Sequence, residues 1–121
     1  MALAAAASLL MAGSAQAMTV AEFLAKAHGL KAQGAMAMLS PDAELLKAEM
    51  RGILIAYRAD IRAARAAGRP AHSCPPARNQ VEPQVAAKQL LADLEKIPAT
   101  QRGMSMKRAF YAFMKRRYPC R

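Results

Sequence analysis

Apolar residues recur with helical spacing along most of the chain after residue 18. Thr19 is followed by Glu22 in a capping-box pattern. The next apolar residues are spaced three and four apart: Val20, Phe23, Leu24 and Ala27. Gly29 is typical of the residue just beyond a helix C-terminus. The pattern predicts a short amphipathic helix from Thr19 to Gly29, followed by a second helix over residues 30–39, whose Ala and Met run Gly34 interrupts.

Residues 40–68 carry the longest helical pattern. Ser40 is a typical N-cap, Pro41 suits the first turn, and Gly68 marks the end. One side carries an apolar stripe: Leu46, Met50, Ile53, Leu54, Tyr57 and Ile61. Five cations beside that stripe fall within a sector of about 60°. We call them the basic ridge: Lys47, Arg51, Arg58, Arg62 and Arg65.

Residues 69–83 are rich in proline and fit neither helical nor strand periodicity, so we expect a loop there. Helical spacing resumes in residues 84–97, which Pro98 ends, and again in residues 105–118. The period of two that is typical of strands is not found. The chain is therefore predicted to be an all-α bundle of four to five helices.

The first 17 residues indicate export. They carry no charge, are mostly apolar, and end in Ala15-Gln16-Ala17, the small-x-small pattern that signal peptidase accepts. No Lys or Arg precedes the apolar run, so either the true start lies elsewhere or the terminal amine serves alone. The alternative is an Ala-rich first helix. A bilayer span needs about 20 apolar residues, so stable membrane insertion is not expected. We predict a signal peptide over residues 1–17 and a single domain over residues 18–121.

The chain has two cysteines, Cys74 and Cys120. In a short exported chain a pair of cysteines favours one disulfide, because an oxidising compartment lets such bonds persist. A redox site would usually show Cys-x-x-Cys, and a zinc site would need two further ligands, whereas His28 and His72 have no paired spacing. We therefore expect a Cys74–Cys120 bond that fastens the proline-rich loop to the C-terminus. In the loop-entropy model such a closure contributes on the order of 4 kcal/mol.

Known catalytic motifs are not found in the sequence. It has no glycine-rich phosphate loop and no His-Glu-x-x-His pattern, and Ser40, Ser73 and Ser105 stand at cap or loop positions. The nine methionines fit core packing, with an adaptable, chaperone-like surface as the alternative. The sequence predicts a non-enzymatic protein without cofactor or metal.

The basic surplus is the feature that calls for a partner. With 18 basic and 8 acidic residues, the net charge is +10, which attracts nucleic acid, anionic lipid headgroups or an acidic protein. Nucleic acid is not expected, because aromatic residues make up 5% of the chain and lie on apolar stripes. The alternative is that the basic surface only confers solubility.

The order of several segments resembles the Rap1a/Tai type of immunity proteins. The shared features are the Cys-x-Pro that runs from Cys74 to Pro76, a Gln-Leu helix that ends at Pro98, and the closing Tyr-Pro-Cys that ends at Cys120. They span roughly residues 50–120. The resemblance implies a small helical periplasmic protein that neutralises a type VI secretion peptidoglycan amidase by occupying its substrate groove.

A loop held by a disulfide and stiffened by prolines loses little entropy on binding, so it suits the blocking of an enzyme groove. The residues predicted to contact a partner lie on this loop and lead up to it along the basic ridge: Arg58, Arg62, Arg65, Arg69, Pro75 and Pro76. Two other functions stay open, a general basic envelope or chaperone-like protein and a binder of anions or lipopolysaccharide. A homodimer is also compatible with the sequence.

Overall fold

The computed structural model of the protein describes residues 17–121 as a bundle of four α-helices. The helices are α1 (Val20–Gln33), α2 (Pro41–Ala66), α3 (Pro83–Glu95) and α4 (Met106–Arg117). Short 3₁₀ helices lie in the connections, over Gly34–Leu39, Arg78–Gln80 and Ala99–Gln101. The predicted all-α bundle is thus confirmed. The predicted signal peptide lies outside the described residues, except for Ala17.

Side chains predicted to cap helices do so. The Thr19 hydroxyl accepts a hydrogen bond from the Glu22 backbone N–H (3.1 Å), and the Glu22 carboxylate accepts one from the Thr19 N–H (3.4 Å), which completes the capping box. Ser40 accepts from the Asp42 N–H at the start of α2, and Ser105 caps α4 in the same way. These bonds satisfy N–H groups that the first turn of a helix leaves without partners.

The C-terminus of α2 forms a Schellman motif. Gly68 has a positive φ of 68° and donates its N–H to the Arg65 carbonyl, while Arg69 donates to the Ala64 carbonyl. A left-handed backbone is easiest for glycine, which has no Cβ. Gly68 therefore ends α2, as the sequence predicted, and turns the chain into the proline-rich loop.

The prediction that Gly29 ends the first helix is wrong. Helix α1 continues through Gly29 to Gln33 and ends at Gly34, which has a positive φ of 58°. Residues 30–39 are consequently not a separate helix, because the first four belong to α1 and the rest form a 3₁₀ helix. Leu30 extends the row of Phe23 and Ala27 along α1 and is half-buried, so its packing favours one more helical turn.

All four helices contribute to one hydrophobic core. Its most deeply buried members are Leu94 and Met106, both 0% exposed, with Val20 packed beside them at the start of α1. Backbone bonds tie the start of α1 to the start of α4: Val20 donates to the Met104 carbonyl and Met106 to the Met18 carbonyl. Met114 is also buried, so methionines do fill the core, as expected.

The proline-rich loop is fastened to the rest of the bundle at adjacent positions. The predicted disulfide joins Cys74 to Cys120, with an S–S distance of 2.00 Å. The Cys74 N–H also donates to the Tyr118 carbonyl at 2.8 Å. The loop is thereby held against the C-terminal end of α4. None of the helices described between residues 17 and 121 is long and apolar enough to cross a membrane.

Candidate functional site

A groove with a volume of about 790 Å³ runs between the helices and the proline-rich loop. All four helices contribute side chains to it, and most of these are apolar. One wall is a row on α2 in which every fourth residue faces the groove: Leu46, Met50, Leu54 and Arg58. At about 1.5 Å per residue the row is about 18 Å long. The groove therefore has an apolar stretch on α2 that ends in a cation.

The proline-rich loop forms the wall beside Arg58. Pro75 and Pro76 are half-buried and line the groove, as does Arg78 from the short 3₁₀ helix that follows. The disulfide at Cys74 lies next to these prolines in sequence and fixes where they sit. The loop thus completes a groove whose other walls are helices.

Two arginines face this groove without an acidic partner. Among residues 17–121, neither Arg58 nor Arg78 forms an ion pair. Burial lowers the pKa of the half-buried Arg58 below its ordinary value, and the nearby guanidiniums of Arg78 and Arg62 lower it further. The groove therefore presents two neighbouring positive charges beside apolar side chains.

The structure divides the predicted partner-binding residues into two groups. Arg58, Pro75 and Pro76 line the groove. The other three, Arg62, Arg65 and Arg69, are exposed on the outer surface of α2 and at the start of the loop. Arg58 belongs to both the basic ridge and the groove. The remaining ridge members, Lys47 and Arg51, are exposed nearer the start of α2.

Arg78 was not predicted. It lies in a segment without periodicity, and nothing in its sequence neighbours indicates that it would reach Arg58, which is 20 positions earlier. Leu46, Met50 and Leu54 were predicted to lie on the apolar stripe. They are half-buried beside the groove, whereas Ile53, Tyr57 and Ile61 of the same stripe are fully packed.

A buried polar contact anchors the loop. Ser73 is 0% exposed, and its hydroxyl shares a hydrogen bond with the Tyr57 hydroxyl and lies 3.3 Å from His72 Nδ1. The Tyr57 ring packs edge-on against Phe110, with centroids 5.5 Å apart. Burial raises the pKa of Tyr57, although the Ser73 hydroxyl and Arg65 offset part of that rise.

This serine and histidine do not form a nucleophilic site. The sequence suggested no catalytic neighbour for Ser73, yet the fold places His72 beside it. An oxygen that is fully buried and bonded to Tyr57 cannot reach a substrate, so the contact is structural. Within residues 17–121 there is also no cluster of three or more His, Cys, Asp or Glu side chains that could hold a metal ion.

No protein-family model, no curated protein and no solved structure matches this chain. The groove, the loop and the surface charge are the features of the chain that bear on its function.

Proposed function

We propose that this chain is a non-enzymatic, exported protein that binds a protein partner through the proline-rich loop and the neighbouring arginines. The observation that carries this proposal is the loop's attachment. Residues 69–83 leave α2 through the Gly68 turn, are anchored by the Ser73–Tyr57 contact, and are covalently held at Cys74. A segment held in this way loses little conformational entropy when a partner binds.

The surface charge of this chain favours a partner with an acidic surface. Arg62, Arg65 and Arg69 are exposed, and none forms an ion pair within residues 17–121. Cations arranged in this way attract an acidic surface and raise the rate of encounter with it. The resemblance to Rap1a/Tai immunity proteins suggests the partner itself, a peptidoglycan amidase whose substrate groove the loop would occlude.

The proposed compartment is the periplasm. The disulfide between Cys74 and Cys120 favours an oxidising environment, because cytosolic reductants keep most thiols reduced. The uncharged, Ala-rich first 17 residues supply the export signal in this proposal. N-terminal sequencing of the protein from its host should give Met18 as the first residue; an intact Met1 in a cytoplasmic fraction would contradict export.

Association kinetics test the proposed binding surface. The reference reaction is binding to a peptidoglycan amidase, chosen from the genes beside this one if they encode such an enzyme, and it is measured at low ionic strength. The Arg62→Glu/Arg65→Glu variant should associate roughly tenfold more slowly, because both charges face outward from α2, and the difference should shrink as salt rises. The dissociation rate should change less.

A matched control variant separates the effect of the basic ridge from the effect of net charge. Lys31→Glu/Lys96→Glu makes the same change in net charge at two exposed lysines away from the basic ridge. It should slow association much less than the ridge variant does. Equal slowing by both variants would show that only net charge matters, and an amidase that the protein neither binds nor inhibits would refute the immunity function.

A chaperone-like envelope protein is the second candidate, and a specific observation favours it. The 3₁₀ helix before α2 exposes three large apolar side chains: Met36, Met38 and Leu39, at 64%, 75% and 77% exposure. Exposed methionines adapt to many partners. Suppression of aggregation of an unrelated unfolded protein, abolished by Met36→Ser/Met38→Ser, would support this candidate over immunity.

A further inference from the structure

The apolar stretch of the groove along Leu46, Met50 and Leu54 has no task in the function proposed above, which uses the proline-rich loop and the neighbouring arginines. We propose that the groove binds a single-chain anionic amphiphile, a fatty acid, with its acyl chain along Leu46, Met50 and Leu54 and its carboxylate at Arg58 and Arg78. This binding activity would be independent of any protein partner.

The dimensions of the groove suit one acyl chain. Its volume of about 790 Å³ lies within the range of roughly 300–1,000 Å³ that is typical of small-molecule sites. The α2 row from Leu46 to Arg58 is about 18 Å long. An acyl chain in a bilayer spans roughly 15 Å, half of the roughly 30 Å hydrocarbon core. One chain could therefore follow the row and place its head at the cationic end.

The arginine end selects an anion. Arg58 and Arg78 both line the groove; burial and the nearby Arg78 guanidinium disfavour the charge of Arg58, and no carboxylate pairs with either arginine in the described part of the chain. A carboxylate between them would offset this repulsion and accept hydrogen bonds from both. Arg58 is half-buried, so the contact would be less screened by solvent than one on the open surface.

An entirely apolar ligand fits the observations less well. It would bury part of Arg58 without compensating its charge, which is costly in an apolar setting. The same objection applies to an apolar face from a second copy of this chain, which would also have to supply an acidic side chain at Arg58. A fatty acid meets both requirements, since it has one apolar chain and one anionic end.

Calorimetric titration with laurate, kept below its critical micelle concentration, tests this site. The protein is expressed from its complete coding sequence, so that any processing takes place. Saturable binding of one laurate per chain is expected. Arg58→Ala/Arg78→Ala should weaken it by on the order of tenfold, since hydrogen bonds to charged groups are lost. The control variant Lys47→Ala/Arg51→Ala removes the same charge from exposed ridge positions further from Arg58 and should change the affinity by less than twofold.

A second pair of variants tests whether the chain lies in the groove. Ala87 and Ala92 are both exposed on α3, but of the two only Ala87 lines the groove. Ala87→Phe should fill the groove and abolish laurate binding, while Ala92→Phe should leave it unchanged. Circular dichroism checks that both variants keep the helical content of the parent protein.

Several outcomes would overturn the proposal. One is the absence of laurate binding to the parent protein. Another is binding that Ala87→Phe does not weaken, which would place laurate on the outer surface. Equal affinity for laurate and 1-dodecanol would show that the arginines do not favour an anionic head group over a neutral one. If sedimentation instead reveals a dimer that Ala87→Phe dissociates, the occupant of the groove is a second copy of the chain.

Discussion

Tyr57 and Ser73 show how single residues hold the loop in place. Both side chains are almost fully buried, and each hydroxyl satisfies the other. A buried hydroxyl that loses its partner keeps its desolvation cost without the compensating bond. The position of the loop, and with it the wall of the groove, therefore depends on a contact between two small polar groups in an apolar core.

A double-mutant cycle at these residues has a defined expected result. Ser73→Ala should lower the free energy of unfolding by about 1–3 kcal/mol, because the Tyr57 hydroxyl is left buried without its partner. Tyr57→Phe/Ser73→Ala should cost less than the sum of the two single changes, since neither unpaired hydroxyl remains. Urea denaturation of the four proteins gives the values. Strictly additive costs would show that the two hydroxyls are not coupled.

At the scale of the elements, the helix ends followed most closely from the sequence. Ser40, Pro41 and Gly68 delimit α2 because capping and turn formation depend on residues next to each other in the chain. Gly29 misled the prediction because a glycine can also lie inside a helix, and the half-buried Leu30 that follows it favours continuation of α1. Local signals therefore predict where a helix can end, and tertiary contacts select among the candidates.

Gly52 inside α2 and Gly68 just beyond its C-terminus provide a matched test of how glycine acts within a helix and at its end. At both Gly52 and Gly68 a Cβ would meet no atom within 4 Å, but only Gly68 has a positive φ. Gly68→Ala should destabilise the protein by about 1 kcal/mol, because alanine is strained in the left-handed region. Gly52→Ala should stabilise it by about 0.5–1 kcal/mol, as alanine favours a helix interior. Thermal unfolding midpoints that move in the same direction for both variants would contradict this explanation.

At the scale of the whole molecule, the groove could not have been predicted from the sequence. The sequence showed Arg58 on the basic ridge and Pro75 in the loop, but their meeting with Arg78 depends on how α2 packs against residues far along the chain. Helical periodicity separates an apolar face from a polar one, and it does not indicate which part of the apolar face stays open. The half-buried Leu46, Met50 and Leu54 and the fully buried Tyr57 followed the same spacing.

The disulfide is expected to be the largest single contribution to the stability of the bundle. Cys74→Ser/Cys120→Ser should lower the free energy of unfolding by about 4 kcal/mol, because the unfolded chain regains the freedom that the bond removes. The parent protein treated with reductant should show the same loss in denaturant titrations. A loss below about 1 kcal/mol would mean that packing of the loop, and not the bond, holds it in place.

The same bond divides the chain into a covalently closed ring and a linear segment before it. Cys74 and Cys120 close a covalent ring that contains all of α3 and α4. Helices α1 and α2 lie in the linear segment before the ring. A force that pulls on the two termini can extend the linear segment but not the ring, because the disulfide keeps the Cα atoms of Cys74 and Cys120 5.0 Å apart. Breaking the bond would release the 46-residue separation, on the order of 150 Å of extended chain. An ATP-driven unfoldase that pulls the protein from its N-terminus would thus translocate α1 and α2 as a single polypeptide segment. At Cys74 it would then have to accommodate two segments of the ring side by side.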